Sequence, residues 1–245
     1  MNSTGLRIKK NWSLNIKNMT EKKVKVKNMF DTIAFRYDFL NHLLSFGVDN
    51  YWRKKALKLT GFQPDAILLD VACGTGDVAI EAKKQGVKKI IGADFSGNML
   101  KLFKKKSEWI AGNCVQMAAE NMPFKDNSFT NITVAFGVRN FYNIKEGFAS
   151  FLRVLEPGGK ATVIEFRMPS NFIFKKLYKF YFKRILPFIG GFFSGSKDAY
   201  TYLPNSVEEF DEKINLPELL TEAGFSKVTK HNMTFGIVQV VIAVK

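Results

Sequence analysis

Two cysteines and two histidines are all that this 245-residue chain holds. Cys73 and Cys114 have neither metal-ligand nor disulfide spacing, so a zinc module and a disulfide scaffold are excluded, and both read as reduced thiols in a cytoplasm. No run of 18 or more apolar residues exists, which argues against a transmembrane helix. The N-terminus lacks an apolar core followed by a small-residue cleavage site, which argues against secretion. Arginine is sparse among the 37 basic residues, and arginine is the preferred bidentate reader of bases. The net charge of +15 therefore has three readings: lysine-rich compositional drift, an anionic membrane surface, or, least supported, nucleic acid.

What is present centres on Leu68-Leu69-Asp70-Val71-Ala72-Cys73-Gly74-Thr75-Gly76-Asp77. A short apolar run enters a glycine turn, and a helical pattern follows. A second run, Ile90-Ile91-Gly92-Ala93-Asp94, ends in a carboxylate. Glycines let a backbone approach a ligand where a Cβ would clash. A carboxylate at the tip of the next strand can accept two hydrogen bonds from a ribose diol. Gly76 and Asp94 lie 18 residues apart, close to the about 20 of one β-α-β step. Gly74-x-Gly76-x-x-Ala79 formally satisfies the dinucleotide fingerprint. S-adenosylmethionine is the other candidate, because Asp70 precedes the glycines and Asp77 would disfavour a pyrophosphate at the helix N-terminus.

Along the chain, residues 1–20 read as a basic, flexible extension. Residues 21–60 read as a helical cap, with Val24, Met29, Ile33 and Tyr37 on one stripe and Phe39, Leu43, Leu44 and Phe46 on another. Strands are expected near 67–72, 88–93, 112–116, 130–136 and 160–166, and helices near 77–85, 97–106 and 144–155. Glu156-Pro157-Gly158-Gly159 marks a turn. One helix is expected from Phe210 to Ala223, followed by β-like runs at Lys227–Asn232 and Phe235–Val244. Alternation of this kind implies a parallel sheet with right-handed crossovers. Two terminal strands joined by a short turn must be antiparallel neighbours. The expected fold is thus α/β: a Rossmann-like class I S-adenosylmethionine-dependent methyltransferase. Its sheet is seven-stranded and mostly parallel, with an antiparallel C-terminal hairpin, and 21–245 forms one domain. A dinucleotide-binding domain does not usually end in such a hairpin.

Several longer segments resemble one family. They are Phe30-Asp31-Thr32-Ile33-Ala34-Phe35-Arg36-Tyr37-Asp38, Ala119-Glu120-Asn121-Met122-Pro123-Phe124, Phe136-Gly137-Val138-Arg139-Asn140, Ile164-Glu165-Phe166 and Tyr200-x-Tyr202-Leu203. From about residue 25 onward the chain resembles the C-methyltransferases of menaquinone and ubiquinone biosynthesis. The resemblance implies methyl transfer from S-adenosylmethionine to a ring carbon of a prenylated demethylmenaquinol. The ubiquinone-pathway quinol is the alternative, and a nucleic-acid methyltransferase is a more distant one. It implies that Asp70, Gly74, Thr75, Gly76 and Asp94 serve the cofactor, with Ala118 and Ala119 beside adenine and Ala135 nearby. Many relatives carry Asp or Asn where Ala118 stands, and often Ser at Ala135. Cofactor binding is therefore expected to persist with a side-chain contact missing.

Carbon methylation needs a quinol oxygen to lose its proton, so that electron density reaches the ring carbon. Arg139 and Asn140, just after the strand Ile132–Phe136, are the catalytic candidates: Arg139 to stabilise the phenolate or orient a water, and Asn140 to fix that water. Tyr37 would hydrogen-bond a quinol oxygen from the cap. The structural alternative for Arg139 is an ion pair with Asp38 or Glu165. His42 and His231 read as structural or exposed. No cluster demands a metal. The stretch 170–205 reads as a substrate lid or membrane-facing segment, in which Phe172, Phe174, Leu177, Tyr178, Phe180, Tyr181 and Phe182 interleave with Lys175, Lys176, Lys179, Lys183 and Arg184. Expected partners are the lipophilic quinol, an anionic membrane surface and a second copy of the chain, with no nucleic acid. The expected location is cytoplasmic, peripheral at the inner membrane face.

Overall fold

The computed structural model describes residues 45–185 and 197–245 and, upstream, Asn28, Asp31, Thr32 and His42. The extension 1–20 and most of the expected cap, Tyr37 included, lie outside the described residues. Chain order runs α1 (Val48–Thr60), β1 (Ile67–Val71), α2 (Asp77–Lys84), β2 (Lys89–Asp94), α3 (Gly97–Lys106), β3 (Cys114–Gln116), β4 (Phe129–Ala135), α4 (Ile144–Val154) and β5 (Leu155–Phe166). It continues through α5 (Phe172–Phe180), α6 (Lys197–Lys213), α7 (Leu216–Glu222), β6 (Lys227–Met233) and β7 (Val238–Val244). The seven strands form one sheet in the order β3-β2-β1-β4-β5-β7-β6. β1 to β5 are parallel, while β7 runs antiparallel between β5 and β6. The order reverses between β1 and β4, and such a switch point opens a crevice at the carboxyl ends of the strands.

Both faces of the sheet are covered, as strands this uniformly apolar require. On one face Phe148 and Phe151 of α4 pack with Phe210, Leu216 and Leu220. On the other, Val78 and Ala79 of α2 meet Leu100 and Phe103 of α3. Side-chain caps start two of these helices: Ser96 accepts from Met99 N, and Asn143 from Glu146 N. Each satisfies a backbone donor that a helix start leaves unpaired.

The structure corrects three boundaries. The expected helix Phe210–Ala223 is the end of α6 and all of α7. Asn215 starts α7 with Pro217 in its first turn, and a proline cannot donate the hydrogen bond that would continue α6. α6 itself carries Pro204 in its interior, which masks it in the sequence. Phe235 lies not in a strand but in a tight turn, Thr234–Gly236, where Thr234 and Phe235 have φ of 46° and 54°. The turn at 156–159 is absorbed as a bulge in β5, where the register on β4 jumps from Phe129–Leu155 to Asn131–Lys160.

Candidate active site

A cleft lies at the switch point. Most of its lining comes from carboxyl ends of strands: Ala72 and Gly74 after β1, Phe95 and Ser96 after β2, Met117 to Glu120 after β3, and Phe136 and Gly137 after β4, with Met99 of α3 beside them. Ala72 and Phe136 adopt positive φ, 51° and 58°. Left-handed backbone is uncommon outside glycine, and here it turns the chain sharply out of β1 and β4 at the mouth.

Asp94 ends β2 and lines the cleft. Its Oδ2 accepts from Gly74 N at 2.8 Å and its Oδ1 from Ser96 N at 2.8 Å. Burial raises its pKa to about 6 despite these donors, and the neighbouring Asp31 carboxyl adds to the rise. A carboxylate offers about four lone-pair sites, so two remain for a diol. Asp31 is tied to the same corner, since the Ser96 hydroxyl donates to its Oδ1. Ala118 and Ala119 line the far wall with Phe95, Met117 and Phe141, an apolar slot suited to a flat heteroaromatic ring.

Asp70, Thr75 and Gly76 do not line the cleft. Asp70 is buried behind it; Thr133 Oγ1 donates to its Oδ1 at 2.8 Å, and Oδ2 has no hydrogen bond. Burial raises its pKa to about 7. Gly76 has φ of 90°, and a Cβ there would fall 2.0 Å from the Phe103 ring. The reason for glycine at 76 is thus helix packing, whereas Gly74 faces the cleft. Asp77 also turns away from the cleft. It pairs with Lys106 and, at 3.4 Å, with Arg53. Burial alone would raise its pKa, but these cations hold it below the usual carboxylate value. His42, Asp49 and Asp77 converge closely enough to suggest metal ligands. Arg53 and Lys106 already neutralise the two carboxylates, so the group is an ion-pair clasp between α1 and α2.

Asn140 ends a short turn, Val138–Asn140, after β4 and lines the cleft. Arg139 does not. Its guanidinium is buried against Glu165, Nη1 to Oε1 at 2.7 Å, and also donates to the Phe136 carbonyl. Glu165 accepts from the Arg139 backbone as well, at 3.3 Å. The ion pair with Glu165 is therefore present, and Arg139 can act on the cleft only through its field or by holding the turn. Ala135 lines the cleft beside them. Sequence reasoning assigned no role to Glu120, whose Oε1 accepts from Tyr142 N at 2.8 Å and Asn143 N at 3.2 Å, fixing the loop after Asn140. Its place directly after Ala118-Ala119 was the available signal.

The parallel sheet with its antiparallel ending, the glycine turn and the carboxylate at the tip of β2 define a class I S-adenosylmethionine-dependent methyltransferase. The chain is similar in fold to an S-adenosylmethionine-dependent methyltransferase of Thermotoga maritima, described as a possible histamine N-methyltransferase, with a TM-score of 0.63 at 18% identity over 89% of this chain and 99% of that one. Residues 17–245 match the ubiE/COQ5 methyltransferase family, and the chain belongs to it. It is 46% identical over 228 residues, 91% of this chain and 97% of the relative, to the ubiquinone/menaquinone biosynthesis C-methyltransferase UbiE of Geotalea daltonii. It is also 46% identical over 230 residues, 92% of this chain and 94% of the relative, to the demethylmenaquinone methyltransferase of Chlorobaculum tepidum.

Proposed function

We propose that this methyltransferase methylates a ring carbon of a prenylated demethylmenaquinol. The observation that carries the reading is one cleft with the Asp94 carboxylate at one wall and the Asn140 amide at another, in a chain of this family. S-adenosylmethionine supplies an electrophilic methyl group on a sulfonium. Asp94 accepts the ribose diol, Gly74 leaves room for close approach, and Ala118 and Ala119 flank adenine. Asn140 meets the acceptor oxygen. The quinol oxygen would lose its proton to water, and the ring carbon would take the methyl group as the S–C bond breaks, releasing S-adenosylhomocysteine. The same carbon would then give up its hydrogen as a proton to restore the aromatic ring, and the oxygen would be reprotonated. Arg139, neutralised by Glu165, would act by holding the turn that carries Asn140.

The test is methyl transfer from labelled donor, with reduced demethylmenaquinone and the reduced demethyl ubiquinone precursor offered in parallel in detergent. Label in the naphthoquinol supports the reading. Label only in the benzoquinol moves the enzyme to the ubiquinone pathway, which the names of relatives such as that of Geotalea daltonii also allow. No label in either, with cofactor binding intact, overturns both.

A prenylated acceptor resides in lipid, and we propose that α5 rests on an anionic bilayer. Among the described residues no helix is long and apolar enough to cross a membrane. α5 divides its apolar residues between two faces. Tyr178 is buried, as is Phe182 just beyond it, and the pair packs at 4.2 Å with Phe182 against Phe166. Phe172, Ile173, Leu177 and Phe180 remain exposed. Two distant residues extend this outer face: Phe235, 69% exposed, stacks on Phe174 at 4.4 Å, and Phe46, 81% exposed, lies 6.4 Å from Tyr181. Lys179 and Lys183 do not serve it, because both pair with Glu208 of α6. Lys175, Lys176 and Arg184 remain for lipid headgroups. Flotation with anionic vesicles should carry the protein up, and Leu177→Asp with Phe180→Asp should release it. No association with any vesicle would overturn this reading, and concentration-dependent dimerisation lost in the same variant would assign the face to a second copy.

A further inference from the structure

We infer that Tyr202 is a positioning residue that fixes Asn140 as a hydrogen-bond donor toward the methyl acceptor. The inference rests on the quinol reading above. Asn140 has one acceptor oxygen and one NH₂ group with two donors. The Tyr202 hydroxyl donates to Asn140 Oδ1 at 2.8 Å. The acceptor end is thereby occupied by the protein, and the NH₂ is the group left for the cleft that Asn140 lines. A donor suits the oxygen beside the reacting carbon, which carries negative charge when the carbon attacks. A flipped amide would present Oδ1 to that charge and repel it. Burial pushes the Tyr202 phenol above its usual pKa, so it remains a neutral O–H that can donate at physiological pH.

Tyr202 belongs to α6, not to the sheet that builds the rest of the cleft. α6 is in turn held to the α5 region by Glu208, which takes Lys183 at 2.7 Å and Lys179. The chain of contacts runs from α5 through Lys179 and Glu208 to α6, and through Tyr202 to Asn140. Seating of α6 against α5 and orientation of the Asn140 amide are therefore linked.

The experiment compares wild type, Tyr202→Phe, Asn140→Ala and the double variant. Phenylalanine keeps the ring and removes only the donor, so thermal melting should shift little. Tyr202→Phe should lower kcat by about 10- to 100-fold, less than the roughly 100- to 1,000-fold of losing such a donor outright. The KM for S-adenosylmethionine should stay within about twofold. The double variant should match Asn140→Ala alone, because one partner acts through the other. Wild-type kcat in Tyr202→Phe, or independent losses that multiply in the double variant, would overturn the inference.

A second measurement does not depend on the acceptor. In ¹H–¹⁵N spectra the Asn140 side-chain NH₂ pair is identified by its loss in Asn140→Ala. In wild type it should be shifted and slow to exchange, and in Tyr202→Phe it should move to the solvent-averaged position. An NH₂ pair unmoved by Tyr202→Phe would overturn the positioning role even if no quinol proved to be a substrate. A wild-type enzyme inactive on every quinol, with the pair moved as expected, would overturn the acceptor assignment and keep the role of Tyr202.

Discussion

Asp94 holds the glycine turn through Gly74 N and Ser96 N and has lone pairs left for a diol. Only its ionised form accepts on every site. With a pKa of about 6, protonation competes with the ligand as pH falls. Affinity for S-adenosylhomocysteine should be flat above pH 7 and weaken by up to about tenfold per pH unit below pH 6. Calorimetric titration from pH 5 to 8 checks this, and a flat profile would separate Asp94 from the ribose. Asp70 behaves differently, since its unpaired Oδ2 is buried. A native pKa of about 7, above the unfolded value of 3.8, means that the native state binds the extra proton. Stability should then fall as pH rises from about 4 through 7. Asp70→Asn removes that penalty. Its melting temperature should exceed wild type by roughly a few degrees at pH 8 and match it near pH 4. Arg139 and Glu165 form the third case. Arg139→Ala leaves a fully buried carboxylate without its partner, which costs about 3–5 kcal/mol. Its loss of turnover must be read beside a denaturant melt. The motif placed Arg139 and Asn140 together in the sequence, yet only Asn140 reaches the cleft. One residue of offset on a tight turn reverses the direction of a side chain, and periodicity does not resolve it.

At the scale of elements, the glycine turn was legible and the reason for each glycine was not. Gly74 faces the cleft, but Gly76 makes room for Phe103, a residue 27 positions away on α3. Gly76→Ala should destabilise by about 3 kcal/mol, combining overpacking with a left-handed φ. Gly158 also has positive φ, 78°, but nothing lies within 4 Å of its would-be Cβ. Gly158→Ala should cost only about 1 kcal/mol. Urea melts of the two variants measure the difference, and equal costs would mean that Phe103 can move aside. β1, β2 and the helices after them were readable because hydrophobic period and turn chemistry are local signals. α6 was not, because Pro204 in its interior reads as a breaker. Packing of Val207 and Phe210 into the core outweighs the lost hydrogen bond.

For the molecule as a whole, the charge of +15 is partly consumed inside the fold. Arg139, Arg53, Lys106, Lys179 and Lys183 all face carboxylates. The remainder acts at long range and is screened over a Debye length of about 10 Å at 0.1 M salt. Binding to anionic vesicles should therefore weaken steeply between about 0.05 and 0.5 M salt, leaving a residual apolar component. Flotation across that range reads both parts, and salt-independent binding would assign the attachment to the apolar face alone.

By itself the sequence determined the order of the strands and of the helices between β1 and β5, the antiparallel ending, the glycine turn and its distal carboxylate. Each of these is written in residues within one β-α-β step of one another, where backbone propensity, turn chemistry and apolar period act locally. Tertiary structure alone decided that Asp77 is neutralised by Arg53 and Lys106. It also decided that Tyr202 meets Asn140 across 62 residues, and that Phe46 and Phe235 extend the outer face of α5. Those contacts are set by how the helices close over the sheet, and that closure is fixed by the summed burial of the core rather than by any local segment.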